Sequence, residues 1–173
     1  MQSICAVEGV TAWGIKEGKY GLALIKASGT GDAVFTSNKV RAPVVNLMAE
    51  RTRCGKLAGV IVNSGCANAY TGKRGYEDAK TMAAIGAEAL DIPEKETGVA
   101  STGVIGRYLD LDRIRRQSAD VAGKLAHSAD AEVAAATAIM TTDTVQKHAL
   151  VQREGFTVAG ICKGSGMIAP NMG

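Results

Sequence analysis

Aromatic residues are scarce in this chain of 173 residues, where they make up 4% of the sequence with a single Trp. Hydrophobic residues nonetheless reach 46%, and there are 21 Gly. The core must therefore be built from aliphatic side chains, Ala and Gly, which allows backbones to pack closely. The length suits a single domain, residues 1–173, or one part of a larger domain.

An excess of charge of one sign is also missing, because 20 basic and 17 acidic residues leave a formal net charge of +3. No basic cluster is interleaved with aromatic residues on which bases could stack, so we expect no nucleic-acid partner. No apolar run reaches the roughly 18–20 residues needed to span a bilayer, and the first residues lack the positive segment of a secretory signal. We therefore expect a cytoplasmic protein with no membrane contact.

The usual spacings of metal ligands are absent. The chain has four cysteines without a CxxC pair, and neither of its two His residues lies near a Cys in sequence. The cysteines are Cys5, Cys54, Cys66 and Cys162. We expect reduced, buried thiols and no metal site.

Hydrophobic periodicity indicates a mixed α/β domain in which strands and helices are interspersed. Strands are predicted at residues 21–25, 33–36, 58–62, 98–100, 145–151 and 156–162, the last two as a hairpin closed by Gly155. Helices are predicted at residues 75–90, 111–126 and 131–140. The first helix carries small apolar residues on one face, so we expect it to pack tightly on a sheet.

Residues 99–106 suggest a strand followed by a tight turn at Thr102 and Gly103. Such a turn can aim a backbone N–H and a hydroxyl in one direction, which is what stabilisation of an oxyanion requires. A plain connection between a strand and a helix would have the same local sequence. The pattern alone leaves both interpretations open.

Two further polar segments follow predicted elements. Residues 141–144, Thr-Thr-Asp-Thr, could bind a polar substrate through short hydrogen bonds or could tie off the preceding helix. Lys163 lies in a glycine-rich turn and could pair with a substrate carboxylate or be simply solvated. Neither a P-loop nor a dinucleotide-binding pattern fits the glycines of this chain.

Residues 63–68 place two amides and a hydroxyl in a predicted loop, where they could anchor a neighbouring loop. Cys66 lies in the same segment, but no His is near it in sequence to lower the pKa of its thiol. We therefore assign no nucleophilic role to Cys66.

Taken together, five segments resemble the ornithine acetyltransferase family in their order and spacing. They are residues 33–40, 62–69, 100–106, 138–144 and 163–172, and the last two are the most specific. The resemblance covers essentially the whole chain. It implies an α/β fold, a layered mixed-sheet sandwich of the self-processing ornithine acetyltransferase and aminopeptidase type, which a second chain completes.

The resemblance also implies how the protein is assembled. Family precursors cut themselves before a Thr, and the matching position here follows Gly173. Residues 1–173 would then be the α chain, ending at the cleavage point, and the new N-terminal Thr of the β chain would be the nucleophile. The two chains would form an α2β2 heterotetramer.

By the same motif match, Thr102 and Gly103 correspond to the oxyanion hole, and Thr141 and Lys163 correspond to substrate-binding residues. The implied function is glutamate N-acetyltransferase, which moves an acetyl group from N2-acetyl-L-ornithine to L-glutamate in arginine biosynthesis. It needs no cofactor, although some members also use acetyl-CoA as a co-substrate. This chain departs from many members in having Cys66 in place of Asn and a shorter hairpin around Gly155.

Two other functions are compatible with parts of the pattern. One is half of a self-processing aminopeptidase or amidohydrolase with an N-terminal nucleophile, which would pass the acyl group to water. The segments at residues 141–144 and 163–167 argue against it. The other is a non-enzymatic small binding domain.

Overall fold

A computed structural model describes residues 1–166 and 172 of the chain. The strands are β1 (Thr11–Glu17), β2 (Tyr20–Thr30), β3 (Lys56–Cys66), β4 (Thr97–Val104), β5 (Lys147–Arg153) and β6 (Phe156–Cys162). The α-helices are α1 (Pro43–Arg51), α2 (Gly72–Leu90), α3 (Leu111–Ala122) and α4 (Ala129–Ile139).

The main sheet contains four strands in the order β1-β2-β3-β4, and β5 and β6 form a separate hairpin. The first three strands are antiparallel, whereas β3 and β4 are parallel. A parallel pair needs a crossover connection, which α2 provides. As a result, the carboxyl ends of β3 and β4 lie side by side, with Gly65 paired to Gly103.

Helices cover both faces of this sheet. Helices α1 to α3 pack on one face around the buried side chains of Leu22, Leu24, Ile61, Met82 and Leu90. Helix α4 packs on the other face through alanines. A methyl group at Gly14 would lie 2.6 Å from Cβ of Ala138, so α4 approaches the sheet closely. On the opposite face, a methyl group at Gly86 of α2 would lie 2.6 Å from Cγ2 of Ile61, so the close packing expected for the small residues of this helix is confirmed.

Side-chain caps fix the starts of the last two helices. Asp110 accepts a hydrogen bond from the backbone N–H of Arg113 at 3.0 Å, and Ser128 accepts one from Ala131 at 3.2 Å. Both satisfy an amide that the helix itself leaves without a partner. Because α4 is fixed at its start, its far end delivers Met140 and Thr141 to a defined place.

The strand predicted at residues 33–36 is wrong. This segment contains only an isolated bridge between Thr36 and Met172, so it forms no sheet strand. The prediction also missed β1 and α1. The start of α1 carries a recognisable signal, because Pro43 occupies its first turn, where the missing N–H of proline does no harm.

Two predicted loops belong to strands instead. Residues 63–66 continue β3, and Thr102 and Gly103 lie within β4 rather than in a turn after it. The parallel ladder explains both extensions, because Asn63 pairs with Ser101 and Ser64 pairs with Thr102. The hairpin is confirmed, with Gly155 in the left-handed region at φ 82°, but its first strand lies two residues later than predicted.

All four cysteines are free thiols, but burial divides them into two pairs. Cys5 and Cys66 are buried as expected, whereas Cys54 and Cys162 are exposed. The expectation of buried thiols is therefore wrong for the latter two. Cys54 follows α1 in a short surface turn and Cys162 ends an exposed hairpin strand, so neither contributes to the core.

Candidate active site

A cleft of about 450 Å³ opens where the parallel strands β3 and β4 end. The segments on either side of the β5–β6 hairpin form its other walls. Thr102, Gly103, Thr141 and Lys163 all line this cleft. The four residues singled out from the sequence, which are spread over 62 positions, therefore meet in one place, while their chemical roles stay predictions.

A direct hydrogen bond joins two of these residues. The ammonium of Lys163 donates to the hydroxyl oxygen of Thr102 at 2.8 Å. An ammonium can only donate, so the threonine oxygen accepts and its own O–H can donate to a third group. This arrangement suits a hydroxyl that stabilises negative charge on a bound molecule, because the nearby positive charge strengthens it as a donor.

Gly103 has a backbone conformation that other residues rarely adopt. Its φ is +129°, and the facing Gly65 has a φ of +99°. A methyl group on Gly103 would lie 2.4 Å from the carbonyl carbon of Gly65 and 2.7 Å from the nitrogen of Cys66. The register of the pairing shifts between Gly65 and Cys66, so the regular ladder is interrupted directly beside Gly103.

The Thr141 segment is held by the side chain of Asp143. This carboxylate accepts hydrogen bonds from the backbone N–H of Gly164 at 2.6 Å and of Thr141 at 3.4 Å, and also from Lys147. The hydrogen bond from Lys147 is the main reason why the pKa of Asp143 lies well below its ordinary value, and the two amides act in the same direction. Asp143 is therefore an ionised carboxylate inside the wall of the cleft.

Lys16, on strand β1, holds the Thr141 segment against the main sheet. Its ammonium donates to the hydroxyl of Ser64 at 2.8 Å and to the backbone carbonyl of Met140. Ser64 in turn donates to the carbonyl of Ala138 at 2.7 Å. Burial lowers the pKa of Lys16. These bonds satisfy carbonyls at the end of α4 and attach it to the sheet just before Thr141.

A sequence profile of the ArgJ family matches residues 7–173. The chain belongs to the ArgJ family. It is 49% identical over 98% of its length to a protein of Methanosarcina mazei named glutamate N-acetyltransferase. It is 47% identical, over the same share, to an Archaeoglobus fulgidus protein named arginine biosynthesis bifunctional protein ArgJ. The chain spans 44% of the length of each of these two relatives.

The fold agrees with a solved ArgJ-type structure. The chain is similar to ornithine acetyltransferase of Mycobacterium tuberculosis in complex with ornithine, with a TM-score of 0.94 and 35% identity. The match covers 99% of this chain and 96% of that chain. The layered α/β fold and the resemblance inferred from the sequence motifs are both confirmed.

In this ArgJ family chain, the sequence motifs did not reveal every residue that shapes the cleft. Lys19, in the turn between β1 and β2, also lines it, and its ammonium lies 5.2 Å from the ring centre of Tyr20. Asp143, Lys147 and Lys16 likewise received no individual role. The Gly18-Lys19 turn between two short apolar segments was a hairpin signal that would have pointed to Lys19.

The ArgJ cleft combines hydroxyl groups with ammonium groups, which suits an anionic ligand or a developing oxyanion. Among the described residues that line it there is no His or Cys. Within residues 1–166 and 172, no three His, Cys, Asp or Glu side chains lie close enough to hold a metal ion. In that same part of the chain, no helix combines the length and apolar character needed to cross a membrane. The predicted cleavage residue Gly173 lies outside the described residues.

Proposed function

We propose that this chain is the α chain of a glutamate N-acetyltransferase, which transfers the acetyl group of N2-acetyl-L-ornithine to L-glutamate. The convergence of Thr102, Gly103, Thr141 and Lys163 in one cleft carries this proposal. The names of the archaeal relatives and of the similar mycobacterial structure support it. As their names imply, the reaction would serve arginine biosynthesis.

The first half of the reaction forms an acyl-enzyme. The hydroxyl of an N-terminal Thr on a second chain attacks the acetyl carbonyl, while its own α-amine takes the proton. Negative charge develops on the carbonyl oxygen, and Thr102 and Gly103 stabilise it with a hydroxyl and a backbone N–H. The C–N bond then breaks, the proton passes to the leaving nitrogen, and ornithine departs.

The second half transfers the acetyl group to glutamate. The amine of glutamate attacks the ester carbonyl, the same oxyanion site is used again, and the C–O bond to Thr breaks. The Thr oxygen recovers a proton and the acetylated glutamate leaves. In this scheme Thr141 and Lys163 bind substrate, with the ammonium of Lys163 near a carboxylate. The reaction needs no cofactor, and acetyl-CoA would enter it only in the bifunctional form of the enzyme, as a co-substrate that donates acetyl directly to glutamate.

Two chains are needed because the nucleophile is not in this one. The proposed precursor cuts itself after Gly173 and leaves an α and a β chain, which assemble as an α2β2 heterotetramer in the cytoplasm. The lengths of the similar proteins support a cut. This chain matches 44% of the Methanosarcina mazei protein but 96% of the solved mycobacterial chain.

The full-length gene product should release ornithine from N-acetylornithine in a glutamate-dependent manner. Glutamate must accept the acetyl group before the nucleophile is free again, so without it release should stop at about one equivalent per active site. Rapid-quench assays of ornithine with and without glutamate measure this. Sustained release without glutamate would instead indicate hydrolysis, as in the aminopeptidase or amidohydrolase alternative. No release at all would favour a binding domain.

Intact mass spectrometry of the same product should show two chains. We expect one species that ends at Gly173, matching the 17.8 kDa of this sequence, and a second that begins with Thr. Replacing the residue after Gly173 with alanine removes the hydroxyl that would attack the peptide bond, so this variant should remain a single chain. A single chain in the unaltered protein would contradict the proposed processing.

A further inference from the structure

We propose that Asp143 is a positioning residue that locks the Thr141 and Lys163 segments together, so that both substrate contacts form as one unit. This inference rests on the proposed function, because it concerns the same cleft. It assigns a role to a carboxylate that does not itself bind the substrate. The contacts around Gly164 carry the argument.

The two oxygens of Asp143 bind the two segments separately. One oxygen accepts the N–H of Gly164 at 2.6 Å, and the other accepts the N–H of Thr141 at 3.4 Å. Gly164 directly follows Lys163. The carboxylate therefore holds the backbone beside one proposed substrate contact, Lys163, and the backbone of the other, Thr141. A second bond crosses nearby, between the hydroxyls of Thr142 and Ser165 at 2.8 Å.

Gly164 is held on both sides of its backbone. Lys147 donates to its carbonyl at 2.5 Å, while Asp143 accepts from its N–H. Its φ of +135° suits glycine alone, so the backbone is restricted here to an unusual conformation. The fixed backbone of Gly164 in turn holds the adjacent Lys163, whose ammonium reaches Thr102 at 2.8 Å. Asp143 thus influences the oxyanion residue through two intermediate residues.

Asp143 is placed to position its neighbours and not to react. Its side chain is only 1% exposed, and both of its oxygens already accept hydrogen bonds. From behind, Lys16 fixes the carbonyl of Met140, the residue before Thr141. Thr141 therefore lies between two anchors, Lys16 on the sheet and Asp143 in the segment that leads to the hairpin. Removing the Asp143 carboxylate should leave the fold intact and loosen the Thr141 and Lys163 segments that line the cleft.

Two cations face Asp143: Lys147, which donates a hydrogen bond to it, and Lys16, whose pKa the Asp143 charge raises against the effect of burial. Lys147 is the largest cause of its lowered pKa. A carboxylate with a lowered pKa keeps its anchoring charge at neutral pH and loses it only when the pH falls through that low value. Replacing Lys147 with glutamine should raise the pKa of Asp143, so that the anchor fails at a higher pH.

The test uses Asp143→Asn in the full-length, self-processed enzyme. An asparagine presents an NH2 group to one of the two backbone N–H groups, so one anchor is lost. We expect the KM for N-acetylornithine to rise about 10-fold or more, because hydrogen bonds to charged groups contribute on that scale. The fall in kcat should be smaller. The melting temperature shows whether the variant is folded.

Glu132→Gln is the matched control. Glu132 is also a buried carboxylate that accepts backbone amides, from Gln2, Ser3 and Cys5, but it lies on α4 away from the cleft lining. Its variant should lose stability and keep its KM within about twofold. If Asp143→Asn keeps its KM, or if Glu132→Gln raises the KM equally, the positioning role is wrong.

The split between KM and kcat is the readout that a purely structural role would not change. A fall in kcat with an unchanged KM in Asp143→Asn would contradict the proposal. If the wild type transfers no acetyl group, the proposed function fails, and ornithine affinity measured by calorimetry then tests Asp143. Unchanged affinity in Asp143→Asn, or no ornithine binding at all, overturns it.

Discussion

Replacing Gly103 with alanine should nearly abolish acetyl transfer, with kcat lowered roughly 100-fold or more, as for loss of an oxyanion donor. The added methyl group would lie 2.4 Å from the backbone of Gly65, where no side chain can move aside. The β3–β4 pair must therefore separate, or the Gly103 peptide must rotate away from its position. In either case the proposed donor to the oxyanion, the backbone N–H of Gly103, is displaced. Steady-state kinetics of the full-length variant measures the loss.

Gly155→Ala is the matched control for this experiment. Gly155 also has a left-handed conformation, with φ +82°, but nothing lies within 4 Å of an added methyl group. Its variant should lose roughly 1 kcal/mol of stability through backbone strain and keep its kcat. If Gly103→Ala is folded and as active as Gly155→Ala, the backbone at Gly103 takes no part in the reaction.

The sequence predicted the walls of the cleft better than the elements that carry them. Thr102 and Gly103 were placed in a turn after a short strand, yet they lie within β4. A positive φ within a paired strand is invisible to periodicity, because only the opposite strand decides whether the ladder continues. The identity of Gly103 was informative, since a glycine in an apolar segment indicates a close approach of another backbone.

The contacts that organise the site could not be predicted from local patterns. Lys16 and Met140 are 124 residues apart in sequence, and Lys163 and Thr102 are 61 apart. Their bonds depend on how α4 and the hairpin dock on the sheet, which no short segment encodes. The missed strand β1 carries Lys16, so its omission also hid the anchor behind Thr141.

Lys163 and Gly164 connect Thr102, at the β4 side of the cleft, with Asp143, in the segment that contains Thr141. Lys163 contacts Thr102, the proposed oxyanion residue, and its neighbour Gly164 is hydrogen-bonded to Asp143. A substrate carboxylate that draws the Lys163 ammonium toward itself would therefore act on a group already bonded to Thr102. Binding and stabilisation of the oxyanion are then not independent, which a pair of variants can measure.

Thr102→Val should lower kcat roughly 100-fold while changing the KM for N-acetylornithine little. Valine keeps the shape of the side chain and removes the hydroxyl, so the packing of β4 is preserved while the donor to the oxyanion is lost. The Lys163 ammonium loses its acceptor at the same time. Thr102→Ser keeps the hydroxyl and should retain most of the activity. Steady-state kinetics on the self-processed enzyme separates kcat from KM.

A double-mutant cycle with Lys163→Met tests whether the hydrogen bond between the two residues matters. Methionine keeps an unbranched side chain of similar length without the charge. If the bond couples them, the double variant should lose less activity than the product of the two single losses, because either change alone already breaks it. Losses that simply multiply would show that Thr102 and Lys163 act separately. A KM that rises while kcat holds in Thr102→Val would place this hydroxyl in substrate binding instead of transition-state stabilisation.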